Sequence, residues 1–284
     1  MVEPASDPPR GILRAHEACE TVRLSRLAPG PDLAPFVELY WVVRWDLRGR
    51  PPYVQQTLPH PAVHAVLEHA RSEVVGVPRA RFDRRLEGVG HVLGTKFRPG
   101  GFRPLLDGPV SSLTDTTVAL RDVVGDAAVA LEREALDAPT DEEAAAVVER
   151  FWLARLAPTP ARVRAAVEQV TAMVERIAGD PGLTRVDDLA ASLGTTPRRV
   201  QRMFAEYVGV GPKWVVRRYR LHEAAERTAR EPDLDWAAVA ADLGYYDQAH
   251  LVRDFTATVG IPPAQYAASL ASGDDHSTTE PPGR

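Results

Sequence analysis

One passage occurs twice in this chain, and a duplicated unit restricts the fold more than any average property does. Leu189-Ala190-Ala191-Ser192-Leu193-Gly194, Phe204 and Gly209-Val210-Gly211-Pro212-Lys213-Trp214 form the first copy. Val239-Ala240-Ala241-Asp242-Leu243-Gly244, Phe255 and Gly260-Ile261-Pro262-Pro263-Ala264-Gln265-Tyr266 echo it. The offset is 50 residues at the glycine and 51 from the phenylalanine onward, so the second copy carries one additional residue just after its glycine. Each copy reads as a helix, a sharp turn and a second helix, the unit that places a helix in a DNA major groove.

The first copy carries the chemistry of that unit. Val186, Leu189, Ala190 and Leu193 fall at i, i+3, i+4 and i+7 and predict one apolar helical face. Asp187 and Asp188 lie in its first turn, where the helix dipole favours carboxylates. Gly194 is suited to a left-handed turn, Thr196 to an N-cap and Pro197 to the first helical position. Val200, Phe204 and Val208 then predict a buried row. The opposite face presents Arg198, Arg199, Gln201, Arg202 and Ala205. Arginine can grip guanine O6 and N7 together, and glutamine can pair with adenine N6 and N7. A solvated arginine-rich face is the plain alternative for these residues.

In the second copy Trp236, Val239, Ala240 and Leu243 supply the apolar face, Gly244 the turn and Asp247 a cap. Leu251 and Phe255 repeat the buried row, leaving Gln248, Ala249, Val252 and Arg253 outward with His250 near the edge. Between the copies, Pro212 to Arg230 predicts one helix, closed by Glu231-Pro232. A helix of that size spans roughly 27 Å at 1.5 Å per residue. With its flanking turns it can hold two reading heads about one DNA turn apart.

Charge agrees locally. The chain carries a formal net charge of −5, which does not suit a diffuse polycation. Yet between Thr196 and Arg220 seven cations (Arg198, Arg199, Arg202, Lys213, Arg217, Arg218, Arg220) face a single carboxylate, Glu206. They read as a basic docking stripe. Residues 231–247 hold five acids and no cation, so the second head is expected to read fewer bases than the first.

The remaining chain has a different texture. Residues 1–20 are rich in proline, acids and alanine, without periodicity, and are expected to be flexible. From about residue 31 to 110, Phe36 to Trp45, Ala62 to Leu67, Ser72 to Val77 and Val89 to Phe97 read as short strands between turn residues. They predict a barrel or sandwich. From Leu113 the period becomes helical, and Ala157-Pro158-Thr159-Pro160 reads as a linker. The boundaries expected are a flexible N-terminus (1–20), a β-rich domain with trailing helices (21–157), an all-α domain (161–270) and a disordered tail (271–284). No apolar run approaches a membrane span. Cys19, the lone cysteine, cannot form an internal disulfide. Among the aromatic residues, Trp41, Trp45, Tyr53 and Phe97 suit a barrel core, and Trp41, Trp45 and Tyr53 with His64 are also the candidates for an effector pocket. His60, His64, Glu68, His69 and His91 could converge on zinc or iron, but their spacing lacks the His-x-His pair expected of a metal-binding barrel. No metal and no cofactor is expected.

These features together carry a resemblance. Residues 161–270 resemble the C-terminal domain of the AraC/XylS family of bacterial transcription regulators. The resemblance lies in the Gly194-to-Phe204 and Gly244-to-Phe255 spacings, Arg220-Leu221, Ala224, and the closing Gly260 to Tyr266. It implies an α+β two-domain chain whose C-terminal all-α domain has about seven helices and two helix-turn-helix units. It also implies base contacts by Arg198, Gln201 and Arg202 in the first head and by Gln248, Ala249 and Arg253 in the second. Thr196, Arg199, Lys213, Arg217 and His250 are expected on the DNA backbone. Ala249 departs from the polar residue common there.

Pro35-Phe36-Val37, Tyr40-Trp41 and Leu93 to Gly101 resemble the small N-terminal domain of one branch of these regulators. That implies a β-barrel-like, cupin-like domain for effector sensing or dimerisation. The expectation is a cytoplasmic, non-enzymatic regulator whose partners are double-stranded DNA and RNA polymerase. A small-molecule effector and a second copy of the chain are further partners such an architecture can take. The alternative is a metal-dependent cupin-type enzyme fused to a DNA-binding module.

Overall fold

A computed structural model describes residues 11–13, 21–231 and 234–272. Cys19, most of the stretch expected to be flexible and nearly all of the 271–284 tail lie outside the described residues.

The first half is built on two antiparallel sheets. Six strands follow the order β2 (Val22–Leu27), β3 (Val37–Asp46), β8 (Val89–Phe97), β5 (His64–Leu67), β6 (Glu73–Val75), β9 (Thr117–Ala119). A smaller sheet has the order β1 (Ile12–Leu13), β4 (Tyr53–Thr57), β7 (Phe82–Leu86). Strand β3 pairs with β8 in a register that places Tyr40 opposite Thr95 and Trp41 opposite Gly94, with a bulge between Val37 and Leu39. Strand alternation then sorts the side chains. Tyr40, Val42, Ala65, Leu67, Leu93 and Phe97 join the large core beneath three helices, α1 (Leu120–Val124), α2 (Ala127–Leu136) and α3 (Asp141–Leu156). Within it Trp152 is 1% exposed, and its indole N–H donates to Thr95 Oγ1 at 3.0 Å. Thr140 caps α3 through the Glu143 N–H, ahead of three acids in the first turn.

The other face of the large sheet meets the small one. Trp45, Leu86 and Val92 cluster there with Trp41, Val43, Tyr53 and Val66. Gly94 lets the Trp41 indole lie flat on β8, since a Cβ at that position would overlap the ring. Five strands depart from expectation, Val22–Leu27 and Thr117–Ala119 among them, the latter in a segment read as helical. Ile12–Leu13 is paired with β4 inside a stretch expected to be flexible, while Tyr53–Thr57 and Phe82–Leu86 were not foreseen. Their sequences, YVQQT and FDRRL, are largely polar, and Leu86 is the one buried residue in either.

The second half is helical. Its helices are α4 (Ala161–Gly179), α5 (Val186–Ser192), α6 (Pro197–Tyr207), α7 (Pro212–Arg230), α8 (Trp236–Asp242), α9 (Gln248–Val259) and α10 (Pro263–Ser272). Two cores divide them. Val170, Val174, Ile177, Leu189, Ala190, Val200, Phe204, Val208 and Val215 hold the first helix-turn-helix against α4 and α7. Leu221, Ala224, Val239, Ala240, Leu243, Leu251, Phe255 and Tyr266 hold the second against α7 and α10. One apolar assignment fails: Leu193 is 36% exposed, whereas its counterpart Leu243 is fully buried.

Candidate nucleic-acid interface

Both turns are made by glycines in the left-handed region, Gly194 at φ 60° and Gly244 at φ 66°. Thr196 accepts from the Arg199 N–H at 3.3 Å and Asp247 from the His250 N–H at 2.7 Å, so each recognition helix starts on a side-chain cap. The Thr196 hydroxyl retains its own proton for an outside acceptor.

Helix α6 buries Val200 and Phe204 and exposes Arg198, Arg199, Gln201, Arg202 and Ala205 together. Helix α9 buries Leu251, Asp254 and Phe255 and exposes Gln248, Ala249, His250 and Arg253. All six residues expected at base edges are thus solvent-facing, three on each head. Lys213 is exposed at the start of α7.

The expected basic stripe does not form as a single surface. Arg218 is 3% exposed, donates through Nη2 to the Arg79 carbonyl at 2.6 Å and lies 4.7 Å from the centre of the Trp214 ring. Burial, helped by neighbouring Arg217, lowers its guanidinium to about 10, and it stays charged at neutral pH. Arg220 is half-buried and donates to the Thr184 carbonyl at 3.1 Å. Alternate sides of a helix cannot all face one partner, and α7 is enclosed on several sides. Arg217 points outward but holds Asp254 of α9, with Nε at 2.6 Å from Oδ2. It therefore fastens the second recognition helix to the helix between the heads.

The sheet domain grips the back of both heads. Val77 is buried within the first head's core. Thr114 Oγ1 donates to the Gly209 carbonyl at 2.6 Å, and Arg103 pairs with Glu206 at the end of α6 at 2.7 Å. Leu13 and Leu58 join the second head's core, and Arg81 donates to the Val259 carbonyl at the end of α9. His60 stacks on His222 of α7 with ring centres 4.4 Å apart.

Between the sheets, the four effector-pocket candidates come close together. Trp41, Trp45 and Tyr53 share one cluster, and the Trp41 indole N–H donates to His64 Nδ1 at 3.2 Å. Burial and Lys96 push the His64 imidazolium down to about 3, keeping the ring neutral. Lys96 itself is paired with Glu38 at 2.7 Å. Phe97 lies in the opposite, helix-covered core. The other metal candidates are dispersed: Glu68 pairs with Arg84, His69 meets His91 edge-on, and His91 contacts the Leu136 carbonyl. Among the described residues no three His, Cys, Asp or Glu side chains gather to hold a metal.

Residues 189–269 match the model of a helix-turn-helix domain family, and residues 25–119 match that of a domain of unknown function, DUF6597. Over 90 residues the chain is 36% identical to the HTH-type transcriptional regulator Rv1931c of Mycobacterium tuberculosis. That alignment covers 32% of this chain and 34% of the relative, so the chain spans about a third of its length. Among solved structures, a transcriptional regulator of Chromobacterium violaceum with an AraC-type DNA-binding domain is 20% identical at TM-score 0.33, over 37% of this chain and 93% of that one. Unsaturated fatty acid-bound ToxT of Vibrio cholerae is 11% identical at TM-score 0.37, over 96% and 99% of the two chains. At these scores residue roles do not carry across. No helix among the described residues is long and apolar enough to cross a membrane.

Proposed function

We propose that the C-terminal domain of this chain, which matches a helix-turn-helix domain family, is of the AraC type and that the protein is a sequence-specific transcription regulator. Its two heads enter successive major grooves on one face of the duplex. The observation that carries this reading is the paired exposure of α6 and α9: each is capped at its N-terminus, buried along one row and open along the other.

Arg198, Gln201 and Arg202 are the base readers of the first head, and Gln248, Ala249 and Arg253 those of the second. Thr196, Arg199, Lys213 and His250 meet phosphates. Arg217 is free to do so only on the side not occupied by Asp254. Two arginines and a glutamine against one arginine, one glutamine and a methyl group make the first head the main source of specificity. RNA polymerase is the partner through which a DNA-bound regulator acts, and the compartment is the one holding the DNA, the cytoplasm. An effector would enter between the sheets beside Trp41, Trp45, Tyr53 and His64, and a second copy of the chain would dimerise through the sheet domain.

Gel-shift titration at fixed salt, with duplexes selected from a random pool, tests the reading. Selected DNA is expected to bind at least about a thousandfold more tightly than random DNA. Equal affinity for both would contradict it.

A further inference from the structure

The residue by which the two copies differ can be located in the turns. In the first head the Thr195 N–H donates to the Ala190 carbonyl at 3.0 Å, and in the second the Tyr245 N–H donates to the Ala240 carbonyl at 2.9 Å. That bond recurs at a displacement of 50. The caps, Thr196 and Asp247, recur at 51. Tyr246 is therefore the residue without a counterpart. Its neighbour Tyr245 is 7% exposed, lies edge-on to His250 at 5.1 Å and sits 5.6 Å from the Arg220 guanidinium. Anchored in this way, the turn turns the added side chain outward. Tyr246 is 93% exposed, more than any other large apolar side chain among the described residues.

We propose that Tyr246 seats the second head on the DNA backbone, its phenol donating to a phosphate oxygen and its ring lying against the adjoining sugar. The inference rests on the DNA-binding reading above. A large ring held out in water at the start of a recognition helix lies where helix-turn-helix units meet the duplex. The second head also needs such a contact. Arg253 is the lone permanent cation among its outward groups, and Asp247, exposed beside the turn, opposes phosphate, while Asp242 is paired with Arg227 at 3.0 Å. A neutral hydroxyl can approach a phosphate there, and tyrosine is one of the side chains that makes such positioning contacts. The rigid turn keeps the ordering cost low.

The test uses the full chain, with Tyr246→Ala and Tyr246→Phe, on a selected duplex and a random one across a salt series. Tyr246→Ala is expected to weaken both by about tenfold, the factor of one hydrogen bond to a charged group. The slope of log affinity against log salt should stay unchanged, because no cation is lost. Its melting temperature should match the wild type, since the side chain packs on little. Tyr246→Phe should fall between the two. Unchanged binding by Tyr246→Ala overturns the proposal. So does Tyr246→Phe binding as tightly as wild type, or a loss confined to duplexes bearing one particular base pair. A wild-type chain that prefers no selected duplex would instead remove the DNA-binding reading itself.

Discussion

The Trp41 indole can donate to His64 Nδ1 only while that imidazole is neutral, and this ties a single proton to the space between the sheets. The folded-state value near 3 lies below the ordinary 6.5, so the unfolded chain binds the proton more readily. The stability His64 confers is full above about pH 6.5 and declines as pH falls toward 3. Urea titrations at several pH values should show this decline in the wild type and a shallower one in His64→Gln. Identical pH profiles would show that the ring is not held neutral. On the reading face, Arg202→Ala should relax sequence preference by about 1–3 kcal/mol at one base pair, read from competition gel shifts. The arginines of α6 were legible from the sequence because a buried Val200–Phe204 row forces their side outward. The fates of Arg217 and Arg218 were not. Adjacent cations look alike in a sequence, and only packing makes one an ion-pair partner of Asp254 and buries the other beneath Arg79.

At the scale of elements, the two turns share a backbone but differ in room. Gly194 has open space at its Cβ position, whereas a Cβ on Gly244 would strike the Thr184 methyl. Gly194→Ala is therefore expected to cost about 1–2 kcal/mol from the left-handed backbone alone, and Gly244→Ala distinctly more. Denaturant midpoints decide it, and equal losses would contradict the ranking. The Arg217–Asp254 pair links α7 to α9, with the carboxylate mostly buried and the guanidinium half exposed. Arg217→Ala should lower stability by about 1–3 kcal/mol by leaving that carboxylate without its charged partner. If Arg217 also meets phosphate, the salt slope of binding falls by about 1; if it serves only the pair, the slope stays. Helices were readable because caps, periodicity and prolines agree over long segments, as from Thr196 through Val208. Strands β4 and β7 were not, since short polar strands owe their state to partners distant in sequence.

Across the whole molecule, the sheet domain is built into the cores of the heads. Val77 is 1% exposed inside the first head's cluster, so Val77→Ser should cost about 1.5–3 kcal/mol. Hydrogen exchange should show that loss in α4 to α6 rather than in the sheets alone. A loss confined to the sheets would mean that the contact is not carrying stability across the interface. Nothing in the residues around Val77 signals such a partner, because the contact joins segments more than 90 positions apart and follows no local period. Holding both heads from behind, the sheet domain leaves the faces of α6 and α9 open and fixes their relative placement. Selection of the full chain on a random DNA pool tests that arrangement most directly. The expected outcome is two half-sites about one helical turn, 10–10.5 base pairs, apart, with sequence constrained more tightly under one than under the other. Arg202→Ala should loosen the tighter half. An enriched pool with a single short site, two equally constrained halves, or no enriched sequence at all would contradict two unequal heads on successive grooves.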